Sequence, residues 1–176
     1  GLNITPFFDT LGEASPFIKS RFTASTYFDL SDADIDPVLA LRGSIGTIHG
    51  TDTDNVPASK RFYAGGGGSI RGFGYQDVGP REIDGDPAGG LAIIEMTGEM
   101  RFKVTEKIGA VAFVDAGQVY EDAYPDFGSE MAVGAGVGAR YYTGFGPVRF
   151  DVATPINRRD QADGNYQIYL SIGQAF

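Results

Sequence analysis

The stretch RFYAGGGGSIRGFGYQDVGP, residues 61–80, decides the fold. It is dense in glycine, yet it carries two arginines and four aromatics, and no amphipathic helix follows it. Glycines packed around Ile70-Arg71-Gly72-Phe73 allow a backbone path that other residues resist, so they hold one arginine on an unusual course. On either side of this segment the chain alternates apolar and polar residues. An ordered arginine-bearing loop among such strands points to a β-barrel whose loop folds back into the lumen.

Working outward, period-2 alternation predicts eight strands, over 2–10, 16–30, 38–49, 90–105, 109–120, 131–143, 148–155 and 166–176. The segment 90–105 is the clearest: Ile94, Met96, Met100, Phe102 and Val104 share one face, and Glu95, Thr97, Glu99, Arg101 and Lys103 the other. Residues 131–143 alternate Val133, Ala135, Val137, Ala139 and Tyr141 with Gly134, Gly136, Gly138 and Arg140. Glycines in line are wasteful on a solvent-facing surface but fit a crowded lumen, where another segment approaches closely. This favours an antiparallel transmembrane β-barrel of about eight strands, and a soluble β-sandwich or barrel stays as the alternative. Links of long and short length alternate from the loop at about 49–89 onward, the outer-membrane pattern of outside loops and periplasmic turns, and this puts the arginine loop on the extracellular side.

Composition removes most other classes. Of 176 residues none is Cys or Trp and only one is His, which excludes disulfides, thiolate chemistry and most histidine-based catalysis and zinc sites. A net charge of -9 argues against nucleic acid as a partner. No run approaches a membrane helix, but a spanning strand needs only about 9–11 residues and hides its apolar face in alternation. The glycine run 65–68 lacks the Gly-Lys-Ser/Thr and following helix of a phosphate-binding loop. Asp32, Asp34 and Asp36 have calcium-loop spacing, but Pro37 and Gly43 stand where that loop needs Gly and Glu. Asp52, Asp54, Asp84 and Asp86 read as solvated loop acids, and His49 as a surface residue at a strand end. The expectation is therefore no catalytic residue, no metal and no cofactor. Arg71 differs, because a glycine-flanked arginine must place its charge somewhere. Glu99 and Asp115 are the candidate partners, Asp115 because it interrupts an apolar run where an unpaired acid would be costly.

These segments resemble the C-terminal half of the barrel in the outer-membrane protein assembly superfamily, the BamA/TamA type also known as the bacterial surface antigen domain. The resemblance rests on Arg61-Phe62-Tyr63-Ala64-Gly65-Gly66 with Ile70-Arg71-Gly72-Phe73 and Gly79-Pro80, then on Gly98–Phe102, Phe113-Val114-Asp115-Ala116-Gly117, Gly136–Arg140 and Gly146–Pro155. The end, Tyr169–Phe176, looks like an outer-membrane β-signal with its terminal Phe. The strands from residue 90 onward look slightly closer to the TamA branch. The resemblance implies a loop anchor made of Arg71, Gly72, Phe73, Glu99 and Asp115, and a C-terminal recognition signal carried by Tyr166, Ile168, Leu170, Ile172 and Phe176. It implies a non-enzymatic barrel in the bacterial outer membrane that assembles, inserts or translocates outer-membrane proteins. Membrane lipids, those substrates and the assembly machinery would be its partners. A two-partner secretion type transporter and a self-standing small eight-stranded barrel are the alternatives. The family barrel has sixteen strands preceded by POTRA domains, and this sequence is read as one barrel domain over 1–176, a fragment without POTRA domains. Eight strands alone imply either a tight closed barrel with the loop displaced outward or, preferred, two copies pairing their strand edges.

Overall fold

The computed structural model describes residues 1–8, 15–30, 37–144, 146–158 and 164–173. Eight strands form a single antiparallel sheet in chain order: β1 (Leu2–Phe7), β2 (Phe17–Asp29), β3 (Val38–His49), β4 (Ala92–Lys103), β5 (Ile108–Tyr120), β6 (Ala132–Thr143), β7 (Gly146–Pro155) and β8 (Gln167–Ile172). Helix among the described residues is confined to two single 3-10 turns, Thr53–Asn55 and Ala58–Lys60. The sequence-read strands agree with these bounds to within a few residues. Each alternating segment became a strand because successive side chains point to opposite sides of the pleat, which sets an apolar outer row against an inner row that holds the charges.

The register keeps these sides aligned across the sheet. Gly43 pairs with Met96, Met96 with Ala116, and Ala116 with Val133, all on the outer side. That side leaves Met96, Val114, Val137 and Leu170 exposed. The other side carries Thr97 opposite Asp115, Asp115 opposite Gly134, and Gly138 opposite Asp151. Glu99, Asp115 and Asp151 on it are buried. An apolar exposed face opposed to a charged buried one is the inverse of a water-soluble barrel and is the arrangement of a membrane barrel wall.

What buries the inner face is the β3–β4 connection. Residues 50–91 fold back over it and supply Val56, Phe62, Ala64, Ile70, Phe73, Val78 and Leu91 to one apolar cluster with Phe17, Ile48, Ile93 and Val119 of the strands. Backbone bonds tie the two ends of this loop together, with Phe62 and Gly90 exchanging N–H···O contacts of 2.9 and 3.0 Å. Leu91 continues the sheet beside both neighbours: the Ile48 N–H donates to its carbonyl, and its own N–H donates to the Tyr120 carbonyl. A forty-residue link survives in a compact domain because it has a core of its own.

The sheet does not close on itself, since β1 and β8 have no pairing with each other among the described residues. The closed eight-strand barrel with its loop displaced outward is therefore corrected. The loop occupies the concave side, and eight strands wrapped tightly enough to meet would leave room only for their own side chains.

Candidate functional site: the loop tip on the inner wall

The tip of the loop sets Arg71 against the inner wall, 3% exposed. Its Nε donates to Asp115 Oδ2 at 2.7 Å and its Nη2 to Asp115 Oδ1 at 3.0 Å, a two-pronged grip from β5. The Arg71 backbone N–H donates to the same Oδ2 at 3.1 Å. Nη1 lies 2.8 Å from Glu99 Oε1 on β4 and 3.4 Å from Asp151 Oδ2 on β7. The guanidinium also lies over the Phe113 ring, 3.4 Å from its centre. Burial alone pulls the Arg71 pKa down, but the hydrogen bond and charge of Asp115, with the charge of Glu99, outweigh it and hold it above its ordinary value.

The backbone geometry explains the glycines. Gly72 has φ +104, where a side chain is strained, and a Cβ there would lie 2.8 Å from the Thr154 carbonyl oxygen of β7. Gly134 on β6 is the reciprocal case, because a Cβ on it would run into the Arg71 carbonyl oxygen. The loop tip and the wall touch backbone to backbone, and neither position has room for a methyl group.

Two further ties were not read from the sequence. On β8, Tyr169 hydroxyl donates to the Phe73 carbonyl at 2.8 Å and accepts from the Gly72 N–H at 3.0 Å. On the other flank of the tip, Ser69 Oγ donates to Glu95 of β4, which is also paired with Arg21 of β2. Tyr169 falls on the face opposite the apolar Ile168–Leu170–Ile172 register of β8, and that parity was the signal available for it. Asp151, with Arg140 and Arg149 paired to it, was likewise missed as a member of the cluster. The structure thus brings Arg71, Gly72, Phe73, Glu99 and Asp115 together, and adds Asp151 and Tyr169.

Comparison with known proteins places this arrangement. Residues 1–176 match the Omp85 superfamily domain. The chain belongs to the Omp85 superfamily. It is 29% identical to the outer membrane protein assembly factor BamA of Nitratidesulfovibrio vulgaris, across 94% of this chain and 21% of that protein. The BamA of Neorickettsia risticii is 29% identical across 83% of the chain and 20% of that protein. The BamA of Neisseria meningitidis serogroup B is 25% identical across 94% and 24%. In fold, the crystal structure of Haemophilus ducreyi BamA lacking POTRA domains 1-3 superposes with a TM-score of 0.69 at 23% identity, covering 96% of this chain and 37% of that one. The Omp85 chain described here spans about a fifth of the length of these curated relatives. Since all three carry the BamA name, the lean toward the TamA branch gains no support.

The remaining residues singled out in this Omp85 sequence lie apart from the tip. Tyr166 precedes β8 and is exposed, and Ile168, Leu170 and Ile172 point outward along it, also exposed. Phe176 lies outside the described residues, as do Asp32, Asp34 and Asp36. His49 is exposed at the end of β3, beside Thr47 Oγ1 at 3.1 Å and the Tyr124 ring. Asp52, Asp54, Asp84 and Asp86 form no metal-competent group with other His, Cys, Asp or Glu among the described residues.

Proposed function

We propose that this sheet is part of an outer-membrane barrel that assembles, inserts or translocates other outer-membrane proteins, in the bacterial outer membrane, without enzymatic chemistry of its own. The observation that carries this reading is the loop tip seated by Arg71 on a charged inner wall whose outer face is apolar, in an Omp85 chain. Such a wall has lipid on one side and a wet interior on the other. Arg71, with Gly72, Phe73, Glu99 and Asp115, is the loop's anchor. Tyr166, Ile168, Leu170, Ile172 and Phe176 form the segment that assembly machinery recognises by strand addition. The free edges of β1 and β8 cannot remain unpaired in lipid, so further strands, from a larger barrel or a second copy, complete the ring. That requirement counts against a self-standing eight-stranded barrel.

The test is reconstitution. The complete encoded polypeptide, placed in lipid vesicles, should speed the folding of an urea-unfolded outer-membrane barrel several-fold over empty vesicles. The Arg71→Ala variant, inserted to the same level, should speed it less. Equal folding rates with and without the protein would reject the assembly reading.

A further inference from the structure

Directly beneath the loop tip, on the side away from its apolar core, is a crevice of about 10 Å³ lined by the glycine turn at 67–68, Ser69, Arg71, Thr97, Arg42 and Arg149. Three arginines line it, one each from the loop, β3 and β7. The inner wall around it has no carboxylate to spare among the described residues. Arg21, Arg71, Arg140 and Arg149 are paired with the four carboxylates Glu95, Glu99, Asp115 and Asp151. Arg42 makes no hydrogen bond or ion pair among the described residues, although it stands on the inner side of β3 between buried Ala40 and Ser44. Arg149 is 7% exposed, reaches Asp151 at 3.2 Å through Nη2, and has a buried Nε with no partner among the described residues. A buried guanidinium N–H left unmatched is costly, and so is unbalanced positive charge held away from solvent. The excess is all the more marked in a chain whose net charge is -9.

We propose that this crevice is an oxyanion site: one oxygen of a carboxylate or phosphate enters between Arg42 and Arg149 and completes the charge balance of the wall. The volume fits one oxygen atom and no more, because about 10–15 Å³ is the room a single water needs. The rest of the group therefore stands in the lumen. Arginine's planar fork suits this chemistry from two sides at once. The oxygen has two possible sources: an acidic side chain on the strands that complete the ring opposite β3 and β7, or a free anion. The open edges at β1 and β8 favour the first, since the wall facing these arginines lies beyond this sheet. The site needs only an enclosed lumen, so it stands or falls separately from the assembly activity.

The test uses the complete encoded polypeptide in detergent. Arg42→Lys and, separately, Arg149→Lys keep the charge and introduce an amine that a water-soluble carbodiimide joins to any carboxylate in contact. Peptide mass mapping is expected to find each new amine linked to an Asp or Glu outside residues 1–176, and the linkage identifies the wall carboxylate. In the same preparations, inorganic phosphate at constant ionic strength is added to the wild type and to an Arg42→Gln/Arg149→Gln double variant. No such link, but a phosphate-induced rise of several degrees in Tm for the wild type and none for the double variant, keeps the site and assigns a free anion to it. Links only to Glu99, Asp115 or Asp151, or no link at all, with the same phosphate response in both proteins, overturns the proposal. The two unlinked outcomes stay readable if the glutamine variant folds poorly, because Arg42→Gln alone changes a half-buried group and can replace it.

Discussion

The two faces of this sheet are made by the same strands and obey the same alternation, yet they are built on different terms. On the outer face, Met96, Val114 and Val137 are exposed, each among apolar neighbours on the same side of the sheet. On the inner face nearly every residue answers to a particular partner: Asp115 to Arg71, Gly134 to the Arg71 carbonyl, Tyr169 to Gly72 and Phe73. The difference teaches where this chain has freedom. One face needs a property and the other needs identities.

The sharpest way to break that contrast is Asp115→Ala. It leaves the Arg71 guanidinium buried with its principal partner gone, and losing one member of a buried pair costs about 3–5 kcal/mol. Chemical unfolding in detergent should show that loss, and limited proteolysis should cut within 61–80 much faster than in the wild type. Unchanged cleavage would mean that the apolar core of the loop seats it without the charges. A smaller effect is expected from Gly134→Ala, whose methyl group must displace the loop tip. Overpacking of this kind costs about 1–3 kcal/mol, and Gly138→Ala, which meets side-chain atoms of Asp151 and Arg140 as well as backbone, gives a comparison on the same strand. Tyr169→Phe comes next. It removes one hydroxyl and leaves the Gly72 N–H and Phe73 carbonyl unmatched, for a loss of about 1–2 kcal/mol, visible as faster amide exchange at Gly72 while β8 itself keeps its protection. At the far end of the scale, Met96→Leu on the outer face should change stability by only a few tenths of a kcal/mol. A loss there as large as that of Tyr169→Phe would show that the outer face too has a specific partner.

The same contrast explains what could be read without coordinates. Strand positions were legible because alternation is a local signal, and strands β3 and β4 needed nothing beyond it. Arg71 and Asp115 stood out because each violated its surroundings, one as a charge among glycines and the other as an acid in an apolar run. Asp151 violated nothing. In Arg149-Phe150-Asp151-Val152 it takes its regular turn on the polar side, and only the register that sets it opposite Gly138 carries it beneath Arg71. Tyr169 was hidden in the same way, by an edge strand whose other face drew the attention. The apolar core of the loop was not legible either, since Phe62, Ile70 and Phe73 converge through irregular backbone with no period to reveal them.

The hydroxyl of Tyr169 also has a meaning in time. Every polar side chain that bonds to the tip, from Glu95 and Glu99 through Asp115 and Asp151 to Tyr169, follows it in the chain, and the last of them is 97 residues beyond Gly72. As the polypeptide is made, the tip emerges before any of these polar partners exists, although Phe17 and Ile48 of the loop's apolar core precede it. Contacts of such long sequence separation form late, because the intervening chain must first be ordered. The tip therefore gains its full set of polar ties only after β8 has been laid down, and its seating reports that β4, β5, β7 and β8 are in register.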